Sequence, residues 1–297
     1  MDSEASCTGN NIVFIVGCPR SGTSWLQSMI AANPKIKTGP ETHLFSNYIS
    51  PQLNSWRSEI KLMGSPQGTN GLASYFEEGE FLSALREYLA NLLKPMTQDL
   101  KPGELFVEKT PGHATALSDI TLLLPESKII HLIRDARDVV ASLLQANKTW
   151  AKGRFTGDAR IASSLWVKHV TKARRASKHL GSNQYLELKY EDLWNQPTKY
   201  LGEAWRFLGI DGSENEVANA IEANRASTLR ESGGYRYPTR GEHARMRGGT
   251  IQSPPGFIRR AEPGGWRQDL TWVQKIQVWR TARVTMEEIG YPWKLPW

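Results

Sequence analysis

The stretch NIVFIVGCPRSGTSW, residues 11–25, limits the possible folds more than any other part of the chain. An unbroken apolar run, NIVFIVG (11–17), reads as a strand buried on both faces. It leads through a glycine-bearing turn into GTSWLQSMIAAN (22–33), a helical pattern stopped by Pro34. A strand, a tight turn and a helix N-terminus in that order form an anion cradle. The N–H groups of Ser21, Gly22, Thr23 and Ser24 converge there, and the helix dipole adds positive potential. The stretch nearly matches the triphosphate-loop pattern G-x-x-x-x-G-K-[ST]. Gly17, Gly22 and Ser24 fit, but Thr23 stands where the lysine for the β- and γ-phosphates belongs, and Arg20 lies three residues earlier. The missing lysine argues against a triphosphate. The only acid placed to hold magnesium, Asp135, directly follows Arg134, which opposes a cation. The expected ligand is an anion that needs no metal.

Further apolar runs at 104–110, 127–135 and 183–190 read as strands. Helical patterns follow at 136–147 and 198–209, with others at 79–93, 158–180, 214–224 and 271–289. Strands separated by helices predict an α/β fold: a doubly wound parallel sheet with a P-loop-like cradle, flanked by helices. The 297 residues fit a single domain, 1–297. Ligands of such sheets sit beyond the carboxyl ends of the strands, where Arg20, Lys109, Arg134 and Tyr190 all fall. A Gly-, Pro- and Arg-rich stretch at about 230–267 reads as a long lid, because loops of that length within a domain are usually functional.

Charge supports an anionic ligand. Of the net +7, the segment from Arg225 to Arg267 carries +6, from nine arginines against Glu231, Glu242 and Glu262. Arginine forks match phosphate and sulfate oxygens. Nucleic acid is not expected, since basic repeats and readout motifs are absent. No apolar run is long enough to span a bilayer, and the N-terminal residues lack a signal-peptide pattern. Two cysteines, Cys7 and Cys18, do not make a disulfide framework. A cytoplasmic enzyme without membrane contact is expected; oligomeric state is not readable.

Three motifs in order resemble those of sulfotransferases that use 3′-phosphoadenosine 5′-phosphosulfate (PAPS). FIVGCPRSGTSWLQSMI resembles the family's 5′-phosphosulfate loop, with Arg20 at the position of its basic residue. HLIRDARDVVASLL resembles its 3′-phosphate motif, with Arg134 and Ser142 at the required spacing of eight. FIRRAEPGGWRQDLT (257–271) resembles its Arg-Lys-Gly loop: Arg259, Arg260 and Ala261 match, with alanine for the usual glycine and Gly265 for the usual aspartate. Trp25 fits the aromatic that stacks on adenine, and Tyr190 the tyrosine at the adenine edge. The resemblance implies PAPS as co-substrate and 3′,5′-bisphosphoadenosine (PAP) as product. It explains the absent lysine, because PAPS has no γ-phosphate; Arg20 would instead stabilise charge growing on the departing 5′-phosphate.

An acceptor hydroxyl must lose its proton to a base. TGPETHLF (38–45) resembles the carbohydrate branch of the family, where the glutamate is the base, which makes Glu41 the candidate and His43 its neighbour. VEKTPGHA (107–114) resembles the Lys-Thr-His segment of small-molecule sulfotransferases, but Pro111 replaces the histidine. His113 and His43 remain alternatives, and Lys109 is the expected sulfuryl contact. Protein-tyrosine sulfotransferases place a glutamate comparably, and the implied reaction is in-line transfer to a carbohydrate or a small alcohol or phenol, with the GPETHLF resemblance tilting the expectation towards a carbohydrate or another alcohol. Segments 44–78 and 148–158, with Trp56, Tyr75, Phe76, Trp150 and Phe155, are expected at the acceptor entrance. The competing readings are a P-loop kinase or nucleotide hydrolase and a non-catalytic nucleotide-binding module.

Overall fold

The computed structural model describes residues 8–63, 71–239 and 250–291. Cys7 and the middle of the arginine-rich segment, with Arg240, Glu242, Arg245 and Arg247, lie outside them. All six residues of β1 (Ile12–Gly17) are buried. Alternation sends Val13 and Ile15 into one core layer and Ile12, Phe14 and Val16 into another. β1 is the centre of a five-stranded sheet in the order β2-β3-β1-β4-β5. The other strands are β2 (Ile36–Thr38), β3 (Leu105–Lys109), β4 (Lys128–Ile133) and β5 (Tyr185–Lys189), and every pairing is parallel.

The helices cover both faces. Helix α1 (Thr23–Ile30) packs on one face with the later helices Pro197–Leu208 and Glu214–Ala223. On the other face lie α2 (Ser50–Met63), α3 (Glu78–Thr97) and α4 (Leu117–Leu123). A third apolar layer joins α5 (Ala136–Lys148) and α6 (Ala159–Ser177) to the C-terminal helix Trp272–Glu288. The chain leaves β1 toward β2 and β3 but leaves β4 toward β5. The topological switch, where ligands of such sheets bind, therefore lies at the carboxyl ends of β1 and β4. The two strands approach closely there: a Cβ on Gly17 would come within 2.5 Å of the Leu132 carbonyl. No described helix is long and apolar enough to cross a membrane.

The described parts of the arginine-rich segment carry regular structure. β6 (Arg236–Pro238) and β7 (Thr250–Gln252) form an antiparallel ribbon. The loop beyond it is tied to the body by Asp138 in the first turn of α5. This buried carboxylate accepts from the N–H groups of Gly264 at 2.7 Å and Trp266 at 2.9 Å. Arg259 and the start of the C-terminal arm are joined by an ion pair with Asp269 at 2.5 Å.

Two expected outcomes follow from these buried groups. Asp138→Ala removes two charge-assisted hydrogen bonds, so the amides of Gly264 and Trp266 should exchange hydrogen at least about tenfold faster, as read by mass spectrometry or NMR. His131 on β4 is buried, and burial, aided by Arg174, holds its imidazole down at about 3. Below about pH 6.5 the unfolded chain takes up a proton that the folded chain refuses. Urea-unfolding stability should therefore fall with acidification from about pH 6.5 towards 3, by up to about 2 kcal/mol at pH 5. His131→Asn should flatten that slope.

Candidate active site

The cradle forms as its sequence requires. Gly22 has φ 92° and caps α1. It has no room for a side chain, since a Cβ there would overlap the Tyr190 ring. Arg20, just before it, is left-handed too, with φ 75°. Among the described residues only four non-glycines have positive φ: Arg20, His43, Lys152 and Ala261. Arg20, His43 and Ala261 line one cleft of about 450 Å³, and Lys152 lies in the segment that adds Trp150 and Phe155 to its wall. Such backbone costs about 1 kcal/mol or more per residue and persists where packing enforces it, commonly at functional sites.

Gly22, Thr23, Ser24 and Trp25 line this cleft, together with Arg134, Ser142, Tyr190, Arg259, Arg260 and Ala261. Ser21 and Lys109 do not; both are buried beside it. Arg20 donates from Nε to Ser142 Oγ (3.1 Å) and from a terminal nitrogen to the Phe257 carbonyl (2.6 Å). Its guanidinium lies over the Phe257 ring at 4.2 Å. Burial, then the nearby Arg134, lowers its pKa to about 10, which leaves it charged at neutral pH. Ser142 thus holds Arg20, where the motif spacing pairs it with Arg134. Arg134 packs over Tyr190 at 4.1 Å and donates to the carbonyls of Ala261 and Glu262. Its Nε is buried without a partner among the described residues, as is Ser21 Oγ. Unpaired donors beside a left-handed glycine and a helix N-terminus suit a phosphate-bearing ligand.

The end of the cleft at Trp25 is aromatic. Trp25 donates to the Asn224 carbonyl (2.9 Å), and its ring lies 5.4 Å from Tyr190 and 5.8 Å from Trp194. Tyr190 donates to the Ala261 carbonyl. The sequence reading missed Trp194; the signal available was its place four residues after Tyr190, one turn along the same helix.

The end of the cleft at Glu41 is organised by Glu108. This buried carboxylate accepts from Thr42 N (3.2 Å), Thr42 Oγ1 (2.7 Å), Thr110 Oγ1 (2.6 Å) and the His113 ring (3.0 Å). Burial works to raise its pKa; His113, Thr110 and Thr42 outweigh burial and bring it to about 2. The pinned segment 41–43 brings Glu41 to Lys109, with Nζ 2.5 Å from Oε1. The Lys109 side chain is 3% exposed and that of Glu41 35%. His43 Nε2 lies 3.7 Å from the other Glu41 oxygen. His113 is fully buried, and its Nε2 accepts the Phe45 N–H (3.1 Å). Its proton therefore sits on Nδ1, facing Glu108, and neither nitrogen faces the cleft. Of the three candidate bases only Glu41 and His43 line it.

Some expected entrance residues lie elsewhere. Trp56 is core, stacked on Phe81 at 4.2 Å. Tyr75 and Phe76 are exposed and do not line the cleft, while Trp150 and Phe155 do, beside Arg154 and Tyr235.

A family model described as the sulfotransferase family matches residues 12–214. Protein-tyrosine sulfotransferase 2 of Gallus gallus is 25% identical over 203 residues, covering 68% of this chain and 52% of its own length. Protein-tyrosine sulfotransferase 1 of Danio rerio is 25% identical over 200 residues, covering 67% and 53%. The chain spans about half the length of these two relatives. Among solved structures, a sulfotransferase domain from the curacin biosynthetic pathway superposes with TM-score 0.58 at 20% identity, covering 96% of this chain and 99% of that one. A mouse sulfotransferase complexed with PAP gives 0.56 at 15%, covering 95% and 86%. The fold is that of these neighbours, and the chain belongs to the sulfotransferase family.

Proposed function

We propose that the protein transfers a sulfuryl group from PAPS to an acceptor hydroxyl, with Glu41 as general base. One observation carries this reading: a single cleft joins a phosphate cradle and its arginines to a carboxylate held by a buried lysine. In this reading Thr23, Ser24 and the cradle N–H groups hold the 5′-phosphate. Arg134, Ser142 and the Arg259–Ala261 segment hold the 3′-phosphate. Trp25, Tyr190 and Trp194 flank the adenine. PAPS supplies the activated sulfuryl group, and the chain's own residues position it, take the acceptor proton and stabilise charge on the departing phosphate. Positioning and electrostatics dominate, as in phosphoryl transfer.

Lys109 has two roles here. It orients Glu41, and it places a positive charge where the sulfuryl oxygens pass. Among carbohydrate, alcohol and phenol acceptors, the reading favours a phenol. Trp150, Phe155 and Phe257 offer flat apolar walls, and two relatives are named as protein-tyrosine sulfotransferases. A cytoplasmic location remains part of the proposal, on the two-cysteine composition.

Glu41→Gln should lower turnover by about 10²–10⁴ with PAP affinity little changed. Arg20→Ala should lower turnover by about 10²–10³ and affect PAP affinity less, because its contact strengthens as the bond breaks. Arg134→Ala should instead weaken PAP binding about tenfold or more. The reverse pattern for the two arginines would exchange their roles. Calorimetry with PAP, and with ATP plus magnesium, separates this reading from a kinase or hydrolase. PAP binding without transfer to any of a tyrosine peptide, a simple phenol and a glycan would favour the non-catalytic module.

A further inference from the structure

The β6–β7 ribbon brings a tyrosine to the reacting centre that neither the cradle nor the base accounts for. Side chains alternate along a strand, so Tyr235, Tyr237 and Thr239 share one face. Tyr235 lines the cleft, and its ring stacks on that of Tyr237 with centroids 6.5 Å apart, so Tyr237, which does not itself line the cleft, sits directly behind its wall. The Tyr237 ring lies over Lys109, with Nζ 5.9 Å from its centroid. The side chains that act on its phenol are Ser24 and Glu41. Ser24 belongs to the cradle, and Lys109 with Glu41 forms the pair that meets the acceptor. In the sulfotransfer reading the sulfuryl group moves between these two sets of residues, and Tyr237 stands beside both.

The hydroxyl itself is shut off from solvent and makes no hydrogen bond of good geometry among the described residues, Ser24 being the hydroxyl that bears on it at looser geometry; Thr239 on the same face also lacks a partner among these residues. Leaving a buried hydroxyl unpaired costs about 1–3 kcal/mol. Burial pushes the phenol well above its usual range, so at neutral pH it is protonated and can donate. Sulfuryl oxygens are acceptors without a donor of their own.

We propose that Tyr237 is a catalytic residue whose hydroxyl donates a hydrogen bond to a non-bridging sulfuryl oxygen. This rests on the sulfotransfer reading above. In the step, the bond from the acceptor oxygen to sulfur forms as the bond from sulfur to the bridging oxygen breaks. The acceptor's proton passes to Glu41, and the electron pair of the broken bond stays on the 5′-phosphate. Tyr237 keeps its proton throughout; its hydrogen bond draws charge onto the equatorial oxygens and fixes the direction of the group. Because the residue arrives on the ribbon, the centre is complete only with the ribbon seated over the cleft.

The test is calorimetry of wild type and Tyr237→Phe with PAP and with PAPS, acceptor absent. PAP has no sulfuryl group, so its dissociation constant should change less than twofold, while that for PAPS should rise about tenfold. Turnover with a phenolic acceptor should fall about a hundredfold. Equal weakening for both nucleotides would overturn the inference and leave Tyr237 as packing for the ribbon. No change for either, with normal turnover, would overturn it too, yet leave sulfotransfer standing. A wild type that binds neither nucleotide removes the sulfotransfer reading and this inference with it.

Discussion

A carboxylate sealed from water, Glu108, is the constraint on which the geometry of the site depends. An unpaired charge in that position would cost several kcal/mol. Four donors from Thr42, Thr110 and His113 remove that penalty, and three of the four come from outside its own strand end. Successive residues on β3 point to opposite faces, so Glu108 and its neighbour Lys109 diverge. The chain at 41–43 wraps the end of the strand and meets both: Thr42 satisfies the glutamate and Glu41 the lysine. Moving Glu41 away would expose two buried charges at once. That coupling makes the proposed base stiff without any contact to substrate.

The opposite side of the cleft works by concentration rather than by pairing. Arg20, Arg134, Arg259 and Arg260 all line it. Burial and the mutual repulsion of Arg20 and Arg134 lower the pKa of Arg20, the mark of a site that gains by receiving negative charge. In the structure these cations lean on backbone carbonyls, on Ser142, on the aromatic faces of Phe257 and Tyr190, and on Asp269. Carbonyls and rings are weaker partners than phosphates, and so are readily exchanged for them.

The long apolar strands and the cradle were legible because their signal is local. β1 carries an unbroken apolar run, β3 and β4 carry shorter ones and β5 an alternating one, and the left-handed turn at Gly22 is foreseeable from the loop pattern within nine residues, though the Tyr190 ring that also excludes a side chain there is not. β2 was not legible: its three residues, Ile36–Thr38, are too few to show a period, and only the register with β3 defines them. The ambiguity between His113 and Glu41 could not be resolved locally either. The partners that occupy the histidine include Phe45, 68 residues away in sequence. Asp138 reads as an ordinary first-turn acid until the loop 126 residues later closes onto it. Trp56 was placed at the entrance because aromatics suit clefts; its stacking partner Phe81 sits on a different helix. What the sequence concealed in each case was a pairing made by the fold between distant segments.

Ala261 stands with φ 65° where the resembling motif has glycine. Its carbonyl receives both the Tyr190 hydroxyl and Arg134, so two bonds hold an L-residue in a conformation it disfavours by about 1–2 kcal/mol. The strain is held only while those two bonds hold, so a segment that breaks them sheds torsion that a glycine at the same position would never have stored.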